Sequence, residues 1–534
     1  MSAIRCKHAI VILIDDASGE KLLSFLNQGL LPNLKQHVLD RGSFCQHSIC
    51  QFPSSSSNGH TTLATGNFAS RSGVVNALWW DATTGKTPVP YKVDAINVST
   101  LSIWDKIVTC KTMFEYLPPR ESASFHMIKR GAGYRFFELR HLLKYLGLFL
   151  KLKIKGVANV TSEGDVLGML TLDVLKGFVR GFGKKGKVPR LMFVMIVSTD
   201  DMAHKHGFDS EEYMTALKQV DTIVGMIVNG FEENGHHVPG LKDVGEYDQA
   251  AIALVADHAS IPFDHDKLVD IVKQLRTDFP WHCYSAPVLV KGEKHDDWDA
   301  LTFQADEGAH LYLRGDDGRA LRHISALQLQ DFPVHGTSIN FKEYFFSREA
   351  FARLYHEIDP DTILVHDRVG IGCMSRQGGK GDERSYKYEV LEGDDPLAYT
   401  TDAPDLVDGQ YHSHLDWLRG TCQATYPNVP EHMFGFFDCG FAPTLVAIVK
   451  PGWVCHHPED PQDQTATFVN MHGSELRYEV STPLVIGGAG VKRGMELDVC
   501  QNVDMLPTIL KLLGISFNPG DFHGRPLDEL LDMA

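Results

Sequence analysis

The stretch AIVILIDD at residues 9–16 places two acidic residues directly after six consecutive apolar ones. LMFVMIVSTDDMAH at residues 191–204 and AIALVADH at residues 251–258 repeat this arrangement. A continuous apolar run that ends in polar residues is typical of a buried parallel strand, and open α/β sheets place their active sites at the carboxyl ends of such strands. The sequence therefore predicts an α/β fold with a mostly parallel central sheet flanked by helices. Its strand ends would carry Asp15, Asp200, His204, Asp257 and His258.

Two further segments supply the other polar groups of this pattern. PSSSSNGHTTLATG at residues 53–66 is a hydroxyl-rich turn before a helix-compatible stretch, and it could hold a nucleophile at a helix N-terminus. MHGS at residues 471–474 adds the isolated His472. Each piece also has an ordinary interpretation, since an Asp after a buried strand is often a helix N-cap and a serine run is often a flexible loop. The order of all five segments favours one composite site.

The residue types of these segments indicate metal chemistry. Zinc and similar metals bind imidazole nitrogen and carboxylate oxygen, and catalytic sites keep a position open for water or substrate. Two such ions about 4 Å apart can hold the attacking and leaving oxygens of a displacement at phosphorus. The sequence therefore predicts two divalent metal ions. Zinc is the chemical expectation, although manganese or iron would fit the same residues.

In these segments the chain resembles the alkaline phosphatase superfamily, and within it the type I phosphodiesterase/nucleotide pyrophosphatase family. The family's P-T-x-T-x-P-N-H, followed by an apolar pair and T-G, is similar to residues 53–66, with Ser56 in the nucleophile's position and His60 in register. Its D-x-x-x-H-x-x-G is similar to residues 200–207, its D-H-G to residues 257–259 and its H-G-S to residues 472–474. Residues 502–527 resemble the superfamily's closing helix and strand.

The resemblance implies a role for each residue of the pattern. One metal ion would be held by Asp15, Ser56, Asp257 and His258, and the other by Asp200, His204 and His472. Ser56 would also be the nucleophile, and it would form a covalent phosphoseryl intermediate that water then hydrolyses. This chemistry implies hydrolysis of a phosphodiester or pyrophosphate bond in a small-molecule or nucleotide substrate.

The chain departs from the family's pattern at three points. Ser56 replaces the usual threonine, and because it belongs to a serine run, Ser57 is the reserve nucleophile. Asp16 stands where the family has glycine. Asn76 lies one residue earlier, relative to Gly73, than the asparagine that related phosphodiesterases use to donate to a phosphate oxygen. Asn76 is therefore the candidate donor of this chain.

Alternative activities follow from the same resemblance. The sulfatase segment C/S-x-P-x-R and the characteristic opening of the phosphoglycerate mutases are missing. A phosphomonoesterase or phosphonate hydrolase is the alternative enzyme, although no segment clearly supplies the arginine that phosphomonoesterases place on phosphate. A metal-stabilised binding protein that has lost turnover is the alternative from another class. Loss of activity on substitution of Ser56 by alanine would exclude this last alternative.

Composition limits the partners and the compartment. The net charge of −17 over 534 residues argues against stable nucleic-acid binding through the whole surface. Ten cysteines without a C-x-x-C pair predict reduced thiols in a cytoplasmic protein. The first predicted strand begins eight residues into the chain, which is too early for a secretory signal. The sequence contains no run of 18 consecutive apolar residues, so it predicts no transmembrane helix.

The length of the chain predicts a catalytic core with large insertions. We expect core segments at 1–128, 191–286 and 437–534, a basic apolar insertion at 129–190 and a cap at 287–436. The insertion at 129–190 holds 14 Lys and Arg against 4 acidic residues. It is interpreted as a helical lid with solvated lysines or as a surface that contacts anionic membranes. A helix is also expected at 264–277, and AHLYLRG at 309–315 has the alternation of a strand.

Overall fold

The computed structural model of the protein describes residues 6–85, 87–88, 103–136, 163–185, 188–285, 297–305, 307–315, 317–378, 383–456 and 465–532. Its strands are β1 His8–Ile14, β2 Gly42–Ile49, β3 Ser122–Phe125, β4 Tyr134–Arg135, β5 Leu191–Ile196, β6 Phe231–Glu233, β7 His236–Val238, β8 Ala250–Val255, β9 Ile261–Pro262, β10 Leu268–Val269, β11 Cys283–Ser285, β12 Ala300–Ala305, β13 Gly308–Leu313, β14 Phe332–Val334, β15 Thr337–Ile339, β16 Phe351–Asp359, β17 Thr362–His366, β18 Gly370–Gln377, β19 Ser385–Gly393, β20 His412–Ser413, β21 Leu445–Val449, β22 Val454–Cys455, β23 Asn470–Met471, β24 Ser481–Gly488, β25 Glu496–Leu497 and β26 Cys500–Gln501. Its α-helices are α1 Gly19–Asn27, α2 Pro32–His37, α3 Ser56–Thr65, α4 Ala69–Ser72, α5 Ile103–Ile107, α6 Glu163–Lys185, α7 Ser198–His206, α8 Glu211–Asn229, α9 Ile271–Asp278, α10 Ala326–Gln330, α11 Phe341–Phe346, α12 Tyr399–Asp402, α13 His414–Thr421, α14 Val429–Phe437, α15 Arg477–Val480 and α16 Met505–Leu512.

The central sheet has nine strands in the order β25-β2-β24-β8-β1-β5-β3-β4, with β26 beside β2. Strand β1 lies between β5 and β8 and is parallel to both. All three strands are buried along their whole length, as the continuous apolar runs predict. Because parallel strands end at the same edge of a sheet, the residues that follow β1, β5 and β8 emerge together. The predicted α/β fold with a mostly parallel central sheet is confirmed.

Both faces of this sheet are covered by hydrophobic core. Ala9, Val11 and Leu13 belong to one buried cluster, and the intervening Ile10, Ile12 and Ile14 belong to another. This alternation follows from the strand geometry, in which successive side chains point to opposite faces. The second cluster includes residues of α1, α2, α6 and α8, so these helices cover one face of the sheet.

A second sheet is formed mainly by the middle of the chain. Its nine strands run in the order β11-β12-β13-β21-β16-β17-β18-β19-β20, and every pair except the parallel β11 and β12 is antiparallel. The alternating run at 309–315 forms β13, as predicted. Tyr355, Ile363 and Val365 of this sheet pack in the same hydrophobic cluster as Val11 and Leu13 of β1. The two sheets therefore share one core.

Two local predictions are wrong. The helix expected at 264–277 begins only at Ile271, because the Asp270 side chain accepts a hydrogen bond from the backbone of Lys273 and caps it there. The closing strand that the resemblance of residues 502–527 implies, at HGRPL (residues 523–527), is absent from this described segment. Its backbone donors are used elsewhere, since Arg525 N donates to Asp504 and Leu527 N donates to Thr508, while Pro526 has no N–H.

The basic insertion at 129–190 is described only in part, and its apolar stretch at 142–154 lies outside the described residues. The described α6 spans Glu163–Lys185, and Leu175 and Phe182 are buried in the core cluster of the central sheet. No helix in the described ranges is long and apolar enough to cross a membrane. The boundaries of the five predicted segments stay predictions.

Candidate metal centre

Two strand ends of the central sheet bring a pair of carboxylates together. Asp15 follows β1 and Asp257 follows β8 by two residues, and both are buried. His60, on the second turn of α3, lies between them, with Nε2 3.2 Å from Asp15 Oδ2 and 3.2 Å from Asp257 Oδ2. One oxygen or nitrogen from each of these three residues lies within 4.8 Å of the others. This arrangement is dense in charge and shielded from water.

The helix after β5 supplies the next two predicted ligands. Asp200 and His204 are one turn apart on α7, and His204 Nε2 lies 3.3 Å from Asp200 Oδ1. His204 Nδ1 lies 2.7 Å from the carbonyl oxygen of Asn470. Because a carbonyl only accepts hydrogen bonds, Nδ1 is the donor of this bond, and Nε2 is directed at Asp200. Metal-binding histidines commonly have this second hydrogen bond.

His472 and His258 complete the cluster. His472 Nδ1 donates to the carbonyl oxygen of Ser54 over 2.7 Å, which orients the ring in the same way. The His258 ring stacks on the His472 ring with centroids 3.8 Å apart. Ligand atoms of Asp200, His258 and His472 all lie within 4.8 Å of one another. In this structure His258 lies between the two groups, since it belongs with Asp200 and His472 while its Nε2 is 3.2 Å from Asp257 Oδ2; His60 lies with Asp15 and Asp257.

The serine run forms the turn into α3. Ser55 is the N-cap and Ser56 is the first helical residue, so Ser56 lies at the positive end of the helix dipole. Ser56 Oγ lies 3.0 Å from His258 Nε2. Ser56 is partly exposed, whereas Ser55 is 2% and Ser57 0% exposed. Of these three serines, Ser56 alone is both open to a substrate and in contact with the histidine cluster.

Buried charges shift the pKa values of the cluster in opposite directions. Burial lowers the pKa of His60, but Asp15 and Asp257 outweigh it and raise the value to about 10. Burial opposes ionisation of Asp200, but the neighbouring His204 lowers the pKa of this carboxyl to about 2. Burial also lowers the pKa of His258 to about 3. Asp200 is therefore an anion and His258 a neutral imidazole at neutral pH.

The carboxylates of the cluster fit divalent cations. Among the described residues, none donates a well-aligned hydrogen bond to the buried Asp15 Oδ1 or Asp257 Oδ2. Imidazole nitrogens lie 3.2 Å from Asp257 Oδ2 without that alignment. An ionised buried oxygen without a partner is costly, and a metal ion removes the cost. The donor set of carboxylates and imidazoles is also one that zinc and similar divalent metals bind.

Glu479 connects the turn before α3 to the loop that carries His472. It is fully buried, and its carboxylate accepts hydrogen bonds from Gly473 N, Ser474 N, Ser474 Oγ and Ser54 Oγ at 2.5–3.1 Å. Ser54 Oγ also donates to the carbonyl oxygen of Ser474. Both segments are thus held against one side chain. Nothing in the local sequence around Glu479 indicated this role, because its partners are distant along the chain.

Comparison with known proteins identifies the family. The family model described as type I phosphodiesterase/nucleotide pyrophosphatase matches residues 9–325. The chain belongs to this family. It is accordingly an enzyme that hydrolyses phosphoric esters, with phosphodiester and pyrophosphate bonds as the family's substrates. No curated protein matches the sequence.

Solved structures share the fold. Murine ectonucleotide pyrophosphatase/phosphodiesterase 5 has a TM-score of 0.54 at 10% identity, and the match covers 98% of this chain and 100% of that one. The human protein of the same name has a TM-score of 0.55 at 12% identity with the same coverage. An inactive form of the murine protein in complex with AMP has a TM-score of 0.54 at 11% identity, again with 98% and 100% coverage.

Asp16 is one of the chain's departures from the family's pattern, and its backbone conformation shows why the family has glycine at this position. Its φ is +57°, in the left-handed region that favours glycine, which is the family's residue at this position. Asp is one of the residues that tolerates this region best. The buried Asp16 side chain accepts a hydrogen bond of 2.7 Å from Ser260 Oγ, and its backbone N lies 3.3 Å from Asp257 Oδ1. The carboxyl of Asp16 therefore lies beside the predicted metal ligands.

Asn76, the predicted donor to a phosphate oxygen, makes its hydrogen bond with a neighbouring residue of the chain. Asn76 is buried, and its Oδ1 accepts from the backbone of Ala77 over 2.7 Å. No hydrogen bond between Asn76 and the residues of the metal cluster occurs in the described part of the chain. The role of Asn76 as a donor stays a prediction.

Proposed function

We propose that this enzyme hydrolyses a phosphodiester or pyrophosphate bond at a site with two divalent metal ions, preferably zinc, with Ser56 as the nucleophile. The observation that carries the proposal is the position of Ser56. It is the first residue of α3, is open to solvent, and lies 3.0 Å from His258 within a buried cluster of aspartates and histidines. Ser57, the reserve candidate, is fully buried.

The side chains of the cluster would hold the two ions. Their proposed distribution is the one that the family implies, with Asp15, Ser56, Asp257 and His258 on one ion and Asp200, His204 and His472 on the other. Bound ions would lower the pKa of the serine hydroxyl and neutralise charge on the phosphate. The N-terminus of α3 favours negative charge at Ser56 and on the phosphate. Ser56 would displace the leaving group to form a phosphoseryl ester. Water would then hydrolyse this ester, which releases the phosphate product and restores the Ser56 hydroxyl.

A nucleotide is the proposed substrate class, with other small phosphodiesters as the alternative. The support comes from the murine relative, whose inactive form was solved in complex with AMP. A small-molecule substrate also agrees with the net charge of −17, which disfavours binding of long nucleic acids.

Turnover of paired substrates tests the proposal. The metal-loaded enzyme should hydrolyse bis-p-nitrophenyl phosphate with a higher kcat/KM than p-nitrophenyl phosphate. Ser56→Ala should reduce the diester rate by at least about three orders of magnitude, since it removes the nucleophile. Ser57→Ala is the matched control and should keep the activity. A higher kcat/KM for the monoester would contradict the diesterase proposal and favour a phosphomonoesterase.

The cytoplasmic location and the membrane contact remain proposals. All ten cysteines lie in described residues and are free thiols, which agrees with a reducing compartment. Contact of residues 129–190 with anionic lipid rests on their charge alone. Failure of the protein to sediment with anionic vesicles at low salt would contradict the lipid contact.

A further inference from the structure

A second cluster of metal-binding side chains lies on the second sheet. His282 directly precedes β11, Asp299 directly precedes β12, and His335 lies in the turn between β14 and β15. One ligand atom from each of these three residues lies within 4.8 Å of the others. The proposed catalytic ligands lie after β1, β5 and β8 of the central sheet and after β23, whereas this cluster lies at β11, β12 and the β14–β15 turn, so the two clusters are separate in the fold.

The contacts of this cluster converge on Asp299. His335 Nε2 lies 2.9 Å from Asp299 Oδ2, and His282 Nδ1 lies 3.7 Å from the same oxygen. The backbone N of His282 donates to Asp299 Oδ2 over 2.9 Å and so fixes the carboxylate beside the first histidine. His282 Nδ1 donates to the carbonyl oxygen of Asp297 over 3.0 Å, a contact that an ion bound at Nδ1 would replace, and Asp297 adds a second carboxylate with Oδ2 3.7 Å from the same nitrogen.

The chemistry of these donors selects a class of cation. Two imidazoles and one or two carboxylates are the ligands of zinc and of other late divalent transition metals, whereas calcium and magnesium prefer oxygen alone. Two neutral imidazoles with two carboxylates carry a charge of about −2, which balances a divalent ion. Both histidines are about half exposed, so an ion could enter from solvent without unfolding.

We propose that His282, Asp299 and His335 bind one divalent transition-metal ion, such as Zn²⁺, outside the catalytic site. Asp297 would supply a further oxygen, and water would complete the coordination. The ion would join three segments that are separate in sequence, namely the starts of β11 and β12 and the turn between β14 and β15. Its role would be to stabilise this edge of the second sheet, since a metal that bridges segments contributes its binding free energy to folding.

Zinc stoichiometry tests this proposal. Tag-free full-length enzyme is stripped of metal and equilibrated by dialysis at a buffered micromolar concentration of free zinc, and the zinc per chain is measured. Wild type should bind one zinc more than a variant with His282→Ala and His335→Ala. Asp299→Asn, which keeps the shape of the side chain, should lose the same ion. A variant with His236→Ala and His265→Ala removes two exposed histidines elsewhere and is the matched control, so it should bind as much zinc as wild type.

Stability and activity separate this site from the catalytic one. Added zinc should raise the Tm of the control variant more than that of the variant lacking His282 and His335. Diester hydrolysis should remain unchanged in the latter, because neither histidine belongs to the proposed catalytic cluster. Equal zinc content in wild type, in the double variant and in Asp299→Asn would overturn the proposal. Because the readout is a difference between variants, it does not depend on how many ions the catalytic site holds.

Discussion

Asp16 follows β1 with a φ of +57°, and its carboxylate is held by Ser260. In this backbone region a Cβ atom approaches the following carbonyl oxygen, which is why glycine adopts it most readily. The chain therefore combines a conformational cost with a hydrogen bond beside the predicted metal ligands. The two contributions can be separated by substitution.

Asp16→Gly and Asp16→Ala both remove the carboxylate and its bond from Ser260. They differ only in the Cβ atom, so we expect the glycine variant to be more stable by about 1 kcal/mol. The free energies of unfolding of both variants, measured in urea, test this. Equal stability of the two variants, or a more stable alanine variant, would contradict the strain at this position.

Individual site residues were predictable where they lie next to a strong local signal. Asp15, Asp200 and Asp257 each follow an apolar run, and the run itself indicates the strand end. The motif at residues 53–66 includes His60, but it does not predict the contacts of His60 with Asp15 and Asp257. Those contacts depend on how α3 docks on the sheet, which no local pattern encodes.

At the scale of elements, the turn before α3 and the loop before α15 depend on Glu479. Its carboxylate accepts four hydrogen bonds, and these hold Ser54 and the segment after His472 in one arrangement. The carbonyl oxygen of Ser54 in turn orients the His472 ring. Glu479 therefore positions both the turn that carries the proposed nucleophile and a predicted metal ligand.

Substitution of Glu479 by glutamine should loosen both segments. Glutamine keeps one oxygen, which can serve the three donors now on Oε2, but its amide nitrogen cannot accept the bond from Ser474 Oγ, and the loss of that buried partner should cost about 1–3 kcal/mol. We expect a lower free energy of unfolding, weaker zinc retention, and diester hydrolysis that excess zinc partly restores. Glu349→Gln, at an exposed position, is the control and should change none of these. Zinc retention equal to that of wild type would contradict the positioning role.

Elements were predictable where the local apolar pattern is strong and unpredictable where a distant partner decides. The runs of β1, β5 and β8 predicted buried strands because parallel strands covered on both faces are apolar throughout. Residues 523–527 do not form a strand because their backbone donates hydrogen bonds to Asp504, Thr508 and Gly66, which are all distant in sequence. Local pattern cannot reveal such partners.

For the whole molecule, a buried ion pair connects the second sheet to the predicted metal site. Arg353 on β16 donates to Glu475, three residues after His472, over 2.5 Å, and both side chains are almost fully buried. Tyr355 OH donates to the same carboxylate over 2.8 Å, and the Arg353 guanidinium lies 3.9 Å from the centre of the Tyr426 ring. The sequence predicted an inserted cap but not this link, because its partners lie about 120 residues apart.

Removal of one partner of this pair should cost more than removal of both. Arg353→Met leaves the Glu475 charge buried, which should lower the free energy of unfolding by about 3–5 kcal/mol. Adding Glu475→Gln should recover much of this loss. Lys21→Met is the control, since the exposed pair of Lys21 and Asp209 contributes at most about 1 kcal/mol. If the two substitutions change the free energy of unfolding additively, the ion pair does not couple the second sheet to the segment after His472.

The stereochemistry of hydrolysis at phosphorus tests the proposed mechanism most directly. A nucleotide phosphorothioate diester of known configuration is hydrolysed by the metal-loaded enzyme in water enriched in heavy oxygen, and the configuration of the product is determined. Attack by Ser56 followed by attack of water is a double displacement, so the account predicts net retention. Inversion would show that water attacks the substrate directly, and it would contradict the phosphoseryl intermediate.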